Sequence, residues 1–489
     1  MRAAKILITP RENRHTPGSR RDEASPVNVL LISTYDLGHQ PFGLASLTAW
    51  LRAEGADVVC NDTAVDALNE NAVRDSGLIC IHLAMHTATR LALDILPRLR
   101  ALNPGAHICF FGLYGPPNAD ALAGFAPCSI IGGEFESEIT NLYRRLSGAE
   151  AALPEKGKVV ISTERLSFRT PERDGLPPLD QYAHLTLGNN DRTVGYSEAS
   201  RGCKHLCRHC PVVPIYGGRF RTVPVDVVLA DIGAQVANGA EHISFGDPDF
   251  FNGPGHAERI ISALHNEFPK ISYDVTIKVE HLLSQRGRLA RLVETGCLFV
   301  TTAVESADDR TLDILDKGHS RDDFIAAAKL ARDTGLVLSP TFVPFTPWTS
   351  LTGYLGLLRL ISELGLVNQV SPVQLAIRLL VPEGSALLDH PEMKPHLQEF
   401  APERLSYGWH NPDRRVDQLQ SAVQALVETG EAQGQPRTGI FAGIWRLAHD
   451  ALGIAAVPLP AETCAQDIPR MSEPWYCCAE PTEAQRAGL

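Results

Sequence analysis

The chain has 489 residues, 44% hydrophobic and 21% charged, with 45 Lys plus Arg against 57 Asp plus Glu and a formal net charge of -12. This is the composition of a folded globular protein with room for roughly two to four domains. The acidic balance lacks the footprint of a nucleic-acid binder, and no apolar run approaches the roughly 20 residues of a membrane span.

Residues 1–26 are basic but carry no apolar h-region, so they read as a mobile arm and the expected location is cytoplasmic. "VNVLLIST" (27–34) is a continuous apolar run and predicts a buried strand. "FGLASLTAWLRAEG" (42–55) has helical apolar spacing and stops at Gly55. Further strands are expected over 57–62, 77–84, 107–115 and 129–134, with helical segments between them. This alternation over 27–150 predicts a doubly wound, Rossmann-like parallel sheet, whose ligands sit at the carboxyl ends of the strands. The loops "STYDLGHQPFG", "LAMHT", "GLYGPP" and "GGEFE" fall at those ends. Cys60, Cys80, Cys109, Cys128 and Cys297 lie in apolar segments and read as small buried hydrophobes.

Residues 151–190 are rich in Pro, charge and turn residues and read as a linker. A second β/α array follows over 191–390, with strands expected at 242–250, 272–279, 296–306, 336–345 and 371–384. It predicts a complete or partial (β/α) barrel, with its site on the loops after the strands. Asp247, Asp249, Lys278, Glu280, Glu305 and Arg378 lie at or near such ends. Each also has a plain structural reading: Asp247 and Asp249 as caps, Glu305-Ser306 as a helix start, Lys278 and Glu280 as a surface pair. Residues 391–489 turn helical and then irregular.

"RGCKHLCRHCP" (201–211) places Cys203, Cys207 and Cys210 at C-x3-C-x2-C spacing. A structural zinc takes four ligands, often as two knuckles, and no second C-x2-C lies nearby. His205 or His209 would have to complete a mononuclear site from within the same tight loop. A four-iron cubane held by three thiolates leaves one iron open to a small molecule.

This motif, opening a β/α barrel, resembles the radical S-adenosylmethionine (SAM) superfamily, over about 195–385. "GGRFRTVP", "ISFGDPDFF" and "AVESADDRTLDILDKGHS" carry the likeness further. The resemblance implies a [4Fe-4S] cluster on Cys203, Cys207 and Cys210, with SAM on the open iron. It places Gly246 and Asp247 near the SAM amino group, Glu305 and Ser306 near its ribose and methionine moiety, and Arg378 near its carboxylate. His209 stands where the family usually has a carbocyclic aromatic, and its ring would pack on adenine. A preceding α/β domain in such a chain resembles the cobalamin-binding type. Asp36, His39, Gly43, Gly112 and Gly132 are then the candidate cobalamin contacts. The cobalt-ligating motif D-x-H-x-x-G is absent, so a Rossmann-like scaffold without cobalamin stays open.

The tail "EPWYCCAEPT" holds vicinal Cys477-Cys478. Adjacent cysteines do not reach relaxed disulfide geometry, and they suit redox turnover or capture of a soft atom. The tail resembles the CCAEP-tail radical SAM proteins, which implies a part for both cysteines in catalysis. The resulting expectation is a cytoplasmic radical SAM transferase that moves a carbon group to a small molecule, a methyl group through cobalamin being favoured. It would draw electrons from a reductase, flavodoxin or ferredoxin, and act on neither nucleic acid nor membrane. Two competitors are aminocarboxypropyl transfer to a thiophilic atom such as arsenic without cobalamin, and a non-enzymatic iron–sulfur electron carrier or redox sensor.

Overall fold

The computed structural model describes residues 27–125, 127–148, 159–459, 468–473 and 480–487. The apolar run after the arm forms β1 (Val29–Ser33), and all five residues are buried. A central parallel strand is covered on both faces, so it tolerates no polar alternation. Val29 and Leu31 enter one core and Leu30 and Ile32 the other. The sheet continues with β2 (Val58–Asp62), β3 (Leu78–His82), β4 (His107–Phe111), β5 (Cys128–Gly133) and β6 (Val159–Ser162). Their order is β2-β1-β3-β4-β5-β6, all parallel. Helices α1 (Phe42–Arg52) and α5 (Phe135–Leu146) cover one face. Helices α2 (Glu70–Asp75), α3 (His86–Leu102) and α4 (Ala119–Ala123) cover the other. The sheet is therefore doubly wound, and its topological switch point lies between β1 and β3. β6 falls inside the expected linker; it is short, at the sheet edge, and flanked by charge and turn residues that masked it.

The second array begins with β7 (His184–Leu187), β8 (Asn190–Ser197) and β9 (Ser200–Gly202), then α6 (Val213–Tyr216), β10 (Phe220–Thr222) and α7 (Val225–Ala237). It goes on through β11 (His242–Phe245), α8 (Pro254–Glu267), β12 (Ser272–Thr276), α9 (Val279–Ser284), α10 (Leu289–Glu294) and β13 (Cys297–Glu305). Then come α11 (Asp309–Leu315), α12 (Arg321–Thr334), β14 (Val337–Phe342) and α13 (Leu351–Glu363). The sheet order is β14-β13-β12-β11-β8-β7-β17, where β17 is Arg470–Met471. Strands β8, β11, β12, β13 and β14 are parallel, while β7 and β17 add an antiparallel edge. This is a partial barrel. The strand expected over 371–384 is reduced to a single bridge, Phe345 to Arg378, after a 3-10 turn at Pro372–Leu375. Pro372 and Pro382 lack the N–H groups a ladder needs. A hairpin, β15 (Leu397–Ala401) and β16 (Ser406–Trp409), then leads to α14 (Arg414–Ala432), α15 (Arg437–Leu452) and, after β17, α16 (Glu483–Ala487). Among the described residues, no helix is long and apolar enough to cross a membrane.

Buried charge joins the two units. Arg201 of β9 is 7% exposed and lies 2.6 Å from Glu136, 3.3 Å from Glu134 and 2.8 Å from Glu198. The rings of Phe42, Phe135 and Phe168 surround its guanidinium. Arg173, between the units, bonds Asp231 of α7 at 2.8 Å and Gln40 of the β1 loop at 2.8 Å. The C-terminal segment ties them again. β17 pairs with β7, Glu473 accepts from the Tyr35 hydroxyl just past β1, and Glu480 lies 3.0 Å from His86 at the start of α3. Both anchors sit at the β1/β3 switch point.

Candidate functional site

Gly202 ends β9 at φ +72, and a Cβ there would lie 2.4 Å from the Arg219 carbonyl oxygen, so only glycine lets β9 and β10 close before the cysteine loop. Cys203 and Cys207 are buried and Cys210 is partly buried; all three are free thiols. The loop is pinned from outside. Arg208 donates its backbone N–H to Leu315 at 2.9 Å and its side chain to the Asp313 and Ile314 carbonyls, at the end of α11. Asn252 accepts the Lys204 N–H at 3.1 Å and faces the Cys203 sulfur at 3.8 Å.

Two lysines bring positive charge to the thiols. Lys278 is buried with its Nζ 3.8 Å from the Cys207 sulfur. Lys317 is 3% exposed, bonds Glu305 at 3.1 Å and acts electrostatically on Cys207 and Cys210. Burial pushes the Cys210 thiol up to about 12 and raises Cys203 too, so these thiols hold their protons until a metal displaces them. Three soft donors on one short, largely buried loop beside two cations are the donor chemistry of a cluster held by three thiolates, whose negative charge the lysines would offset.

Glu305 closes β13 at φ +66, a left-handed conformation, beside a register shift against β14. Burial opposes its charge, yet Lys317 and the His209 ring, 3.3 Å away, hold it ionised far below the usual carboxylate range. His209 thus meets Glu305. Ser306 is half-buried and accepts the Asp308 N–H. Asp247 is buried and accepts from the Ala199 N–H at 2.9 Å and the Ser200 hydroxyl at 2.5 Å; burial still raises it to about 7. Gly246 leaves room for Tyr196, whose hydroxyl oxygen lies 1.7 Å from where a Cβ would stand. Arg378 is taken up by Asp417 at 2.6 Å, by the Trp409 carbonyl and by stacking on the Trp409 ring.

The loop after β1 reaches the barrel. His39 packs its ring 4.9 Å from that of Tyr196, at the end of β8, and burial lowers it to about 4, so it is a neutral imidazole. Burial, with Asp62 and Glu198 nearby, raises Asp36 well above the ordinary range. The glycines serve the chain's own packing. The space beside Gly43 holds the His82 ring at 2.5 Å, that beside Gly112 the Leu83 carbonyl oxygen at 2.8 Å, and that beside Gly132 the Pro116 ring at 2.5 Å. Cys477 and Cys478 lie outside the described residues.

Sequence reasoning missed Lys317, Tyr196, His281 and Asn252, and left Lys278 undecided. Lys317 follows Glu305 by 12 positions with no period linking them, so only the fold shows the pair. Tyr196 stands near the carboxyl end of β8, just ahead of the cysteine loop.

Residues 197–347 match the radical SAM superfamily. The chain is 23% identical over 324 residues to a Pyrococcus horikoshii protein named uncharacterized methyltransferase PH0819, covering 62% of this chain and 69% of that one. Its fold is similar to that of the cobalamin-dependent S-adenosylmethionine radical enzyme OxsB with aqua-cobalamin and S-adenosylmethionine bound. That match has a TM-score of 0.66 at 15% identity, over 83% of this chain and 67% of that one. It is also similar to the radical S-adenosylmethionine methyltransferase TsrM from Kitasatospora setae with tryptophan and a SAM analog bound. There the TM-score is 0.59 at 14% identity, over 78% of this chain and 85% of that one. At such identities the likeness is one of fold, and it extends well beyond residues 197–347. Residues 197–347, headed by the three-cysteine loop, therefore carry the match to the radical SAM superfamily, whose members use a [4Fe-4S] cluster and SAM.

Proposed function

We propose that this enzyme transfers a methyl group from SAM to a small molecule, with cobalamin between the strand ends of the N-terminal sheet and the barrel. The observation that carries this is the meeting of the β1 loop with the barrel, His39 against Tyr196, in a fold similar to two cobalamin enzymes. The methyltransferase relative supports the same transfer. Cys203, Cys207 and Cys210 hold the cluster, which when bound supplies an electron to SAM. Lys278 and Lys317 balance its charge. Asp247, Glu305 and Ser306 line the approach to it. Arg378 is left out of that set because Asp417 holds it. Cobalamin, when bound, supplies a cobalt centre that carries the methyl group. The test is anaerobic turnover with and without added cobalamin. S-adenosylhomocysteine formed only with cobalamin supports the proposal.

One observation favours a second reading. Glu473 and Glu480 of the chain's own tail occupy the β1/β3 switch point, where a ligand of such a sheet would enter. On that reading the enzyme works without cobalamin, moving an aminocarboxypropyl group to a thiophilic atom, and methylthioadenosine appears in both arms of the same experiment. In either case Cys477 and Cys478, which lie between those two anchors in sequence, assist a later step. A Cys477→Ala/Cys478→Ala variant is then expected to cleave SAM but lose product. Full product yield would remove the tail from the mechanism.

A further inference from the structure

His205, Asp249 and His281 come from three places in the chain: the cysteine loop, the turn after β11, and α9. Each brings one ligand atom to a common point, all within 4.8 Å of one another. Asp249 is 0% exposed and divides its carboxylate. Oδ1 caps the turn by accepting the Phe251 N–H at 3.2 Å. Oδ2 faces His205 Nε2 at 3.2 Å and His281 Nδ1 at 2.6 Å. The second approach is close, but its direction misses a hydrogen bond, and the buried His281 Nδ1 has no hydrogen-bond partner. Behind His205, its other nitrogen faces Glu280 at 3.7 Å.

Two imidazole nitrogens and one carboxylate oxygen are a donor set for first-row divalent cations. A carboxylate behind a ligating imidazole is the usual outer support. We infer that His205, Asp249 and His281 form a second metal site, separate from the three cysteines, that takes one divalent cation of the zinc class. The cation ties the cysteine loop to the turn after β11 and to α9. It engages the His281 nitrogen, which lies 2.6 Å from Asp249 Oδ2 without hydrogen-bond geometry, and balances the buried Asp249 carboxylate.

The test uses the full-length protein with its iron–sulfur cluster already assembled under anaerobic conditions. Zinc is added in slight excess, unbound metal is removed, and metal content and zinc-edge X-ray absorption are measured. The expected result is one zinc per chain beyond the cluster iron, in a shell of nitrogen and oxygen at about 2.0–2.2 Å with no sulfur. His281→Gln is expected to weaken zinc binding at least about tenfold, with cluster absorbance and iron content unchanged. Three results overturn the assignment: no zinc retained, a sulfur shell at about 2.3 Å showing zinc on the cysteines, or undiminished zinc in His281→Gln. The absorption shell is read on the unmodified protein, so it stands even if the variant fails to fold.

Discussion

Lys317 keeps a full positive charge at 3% exposure because Glu305 lies 3.1 Å away. Removing one member of a buried pair strands the other, a loss of about 3–5 kcal/mol. Lys317→Met is therefore expected to lower stability by that amount, read by urea unfolding of the cluster-free protein. It is also expected to make the assembled cluster harder to reduce, since a cation beside it is gone. A loss below about 1 kcal/mol, the size of an exposed pair, would mean that the His209 ring, 3.3 Å from Glu305, suffices to hold its charge. His82 shows the opposite case. Burial, with Arg201 nearby, lowers it to about 4, while an unfolded histidine titrates near 6.5. Its contribution is complete above pH 6.5 and is lost as pH falls toward 4, because only the unfolded chain takes the proton. At pH 5 the loss is about 1–2 kcal/mol. His82→Asn is expected to flatten the fall in Tm between pH 7 and pH 5. An unchanged slope would place the pH dependence elsewhere.

The cysteine loop works as an element because its neighbours leave it little freedom. Gly202 at φ +72 starts it, the end of α11 binds Arg208, and Asn252 binds Lys204. Gly202→Ala would put a Cβ 2.4 Å from a backbone oxygen. It is expected to cost about 1–3 kcal/mol and to lower iron per chain after reconstitution, read by iron analysis. Full iron loading would show that the hairpin can shift. This element was the most legible part of the sequence, since three cysteines at that spacing have few other uses. The central strands were legible too, because a run like "VLLIS" fits only a position covered on both faces. What stayed hidden depended on distant partners. "VVIS" at the sheet edge is too short and half-exposed to stand out from charged neighbours. Arg378 looked free at a strand end until Asp417, 39 positions later, was placed beside it. The glycines of the strand-end loops looked like an open cradle, yet His82, Leu83 and Pro116 fill the space beside them.

At the scale of the molecule, the two units are held by charge taken out of water. Arg201 answers Glu134, Glu136 and Glu198 together, and burial raises Glu134 to about 7 even with that partner. Arg201→Ala would leave three carboxylates facing one another across the junction. It is expected to lower stability by about 3–5 kcal/mol and to split thermal unfolding into two transitions, read by calorimetry. A single unshifted transition would mean that the tail and Arg173 suffice to join the units. The tail adds a return path: the chain leaves the barrel edge at β17 and comes back to the sheet at Tyr35 and His86. The C-terminal segment thus reaches the strand ends of the N-terminal sheet, and Leu113, just past β4 of that sheet, packs against the cysteine loop.

The central claim is that Cys203, Cys207 and Cys210 hold a four-iron cluster whose open iron binds SAM. Electron paramagnetic resonance of the anaerobically reconstituted, dithionite-reduced protein tests it most directly, because it needs no substrate. The account predicts the signal of a reduced [4Fe-4S] cluster whose g-values shift on adding SAM, and no such signal in Cys210→Ser. A cluster signal that SAM leaves unchanged, or one that survives the loss of Cys210, would contradict it.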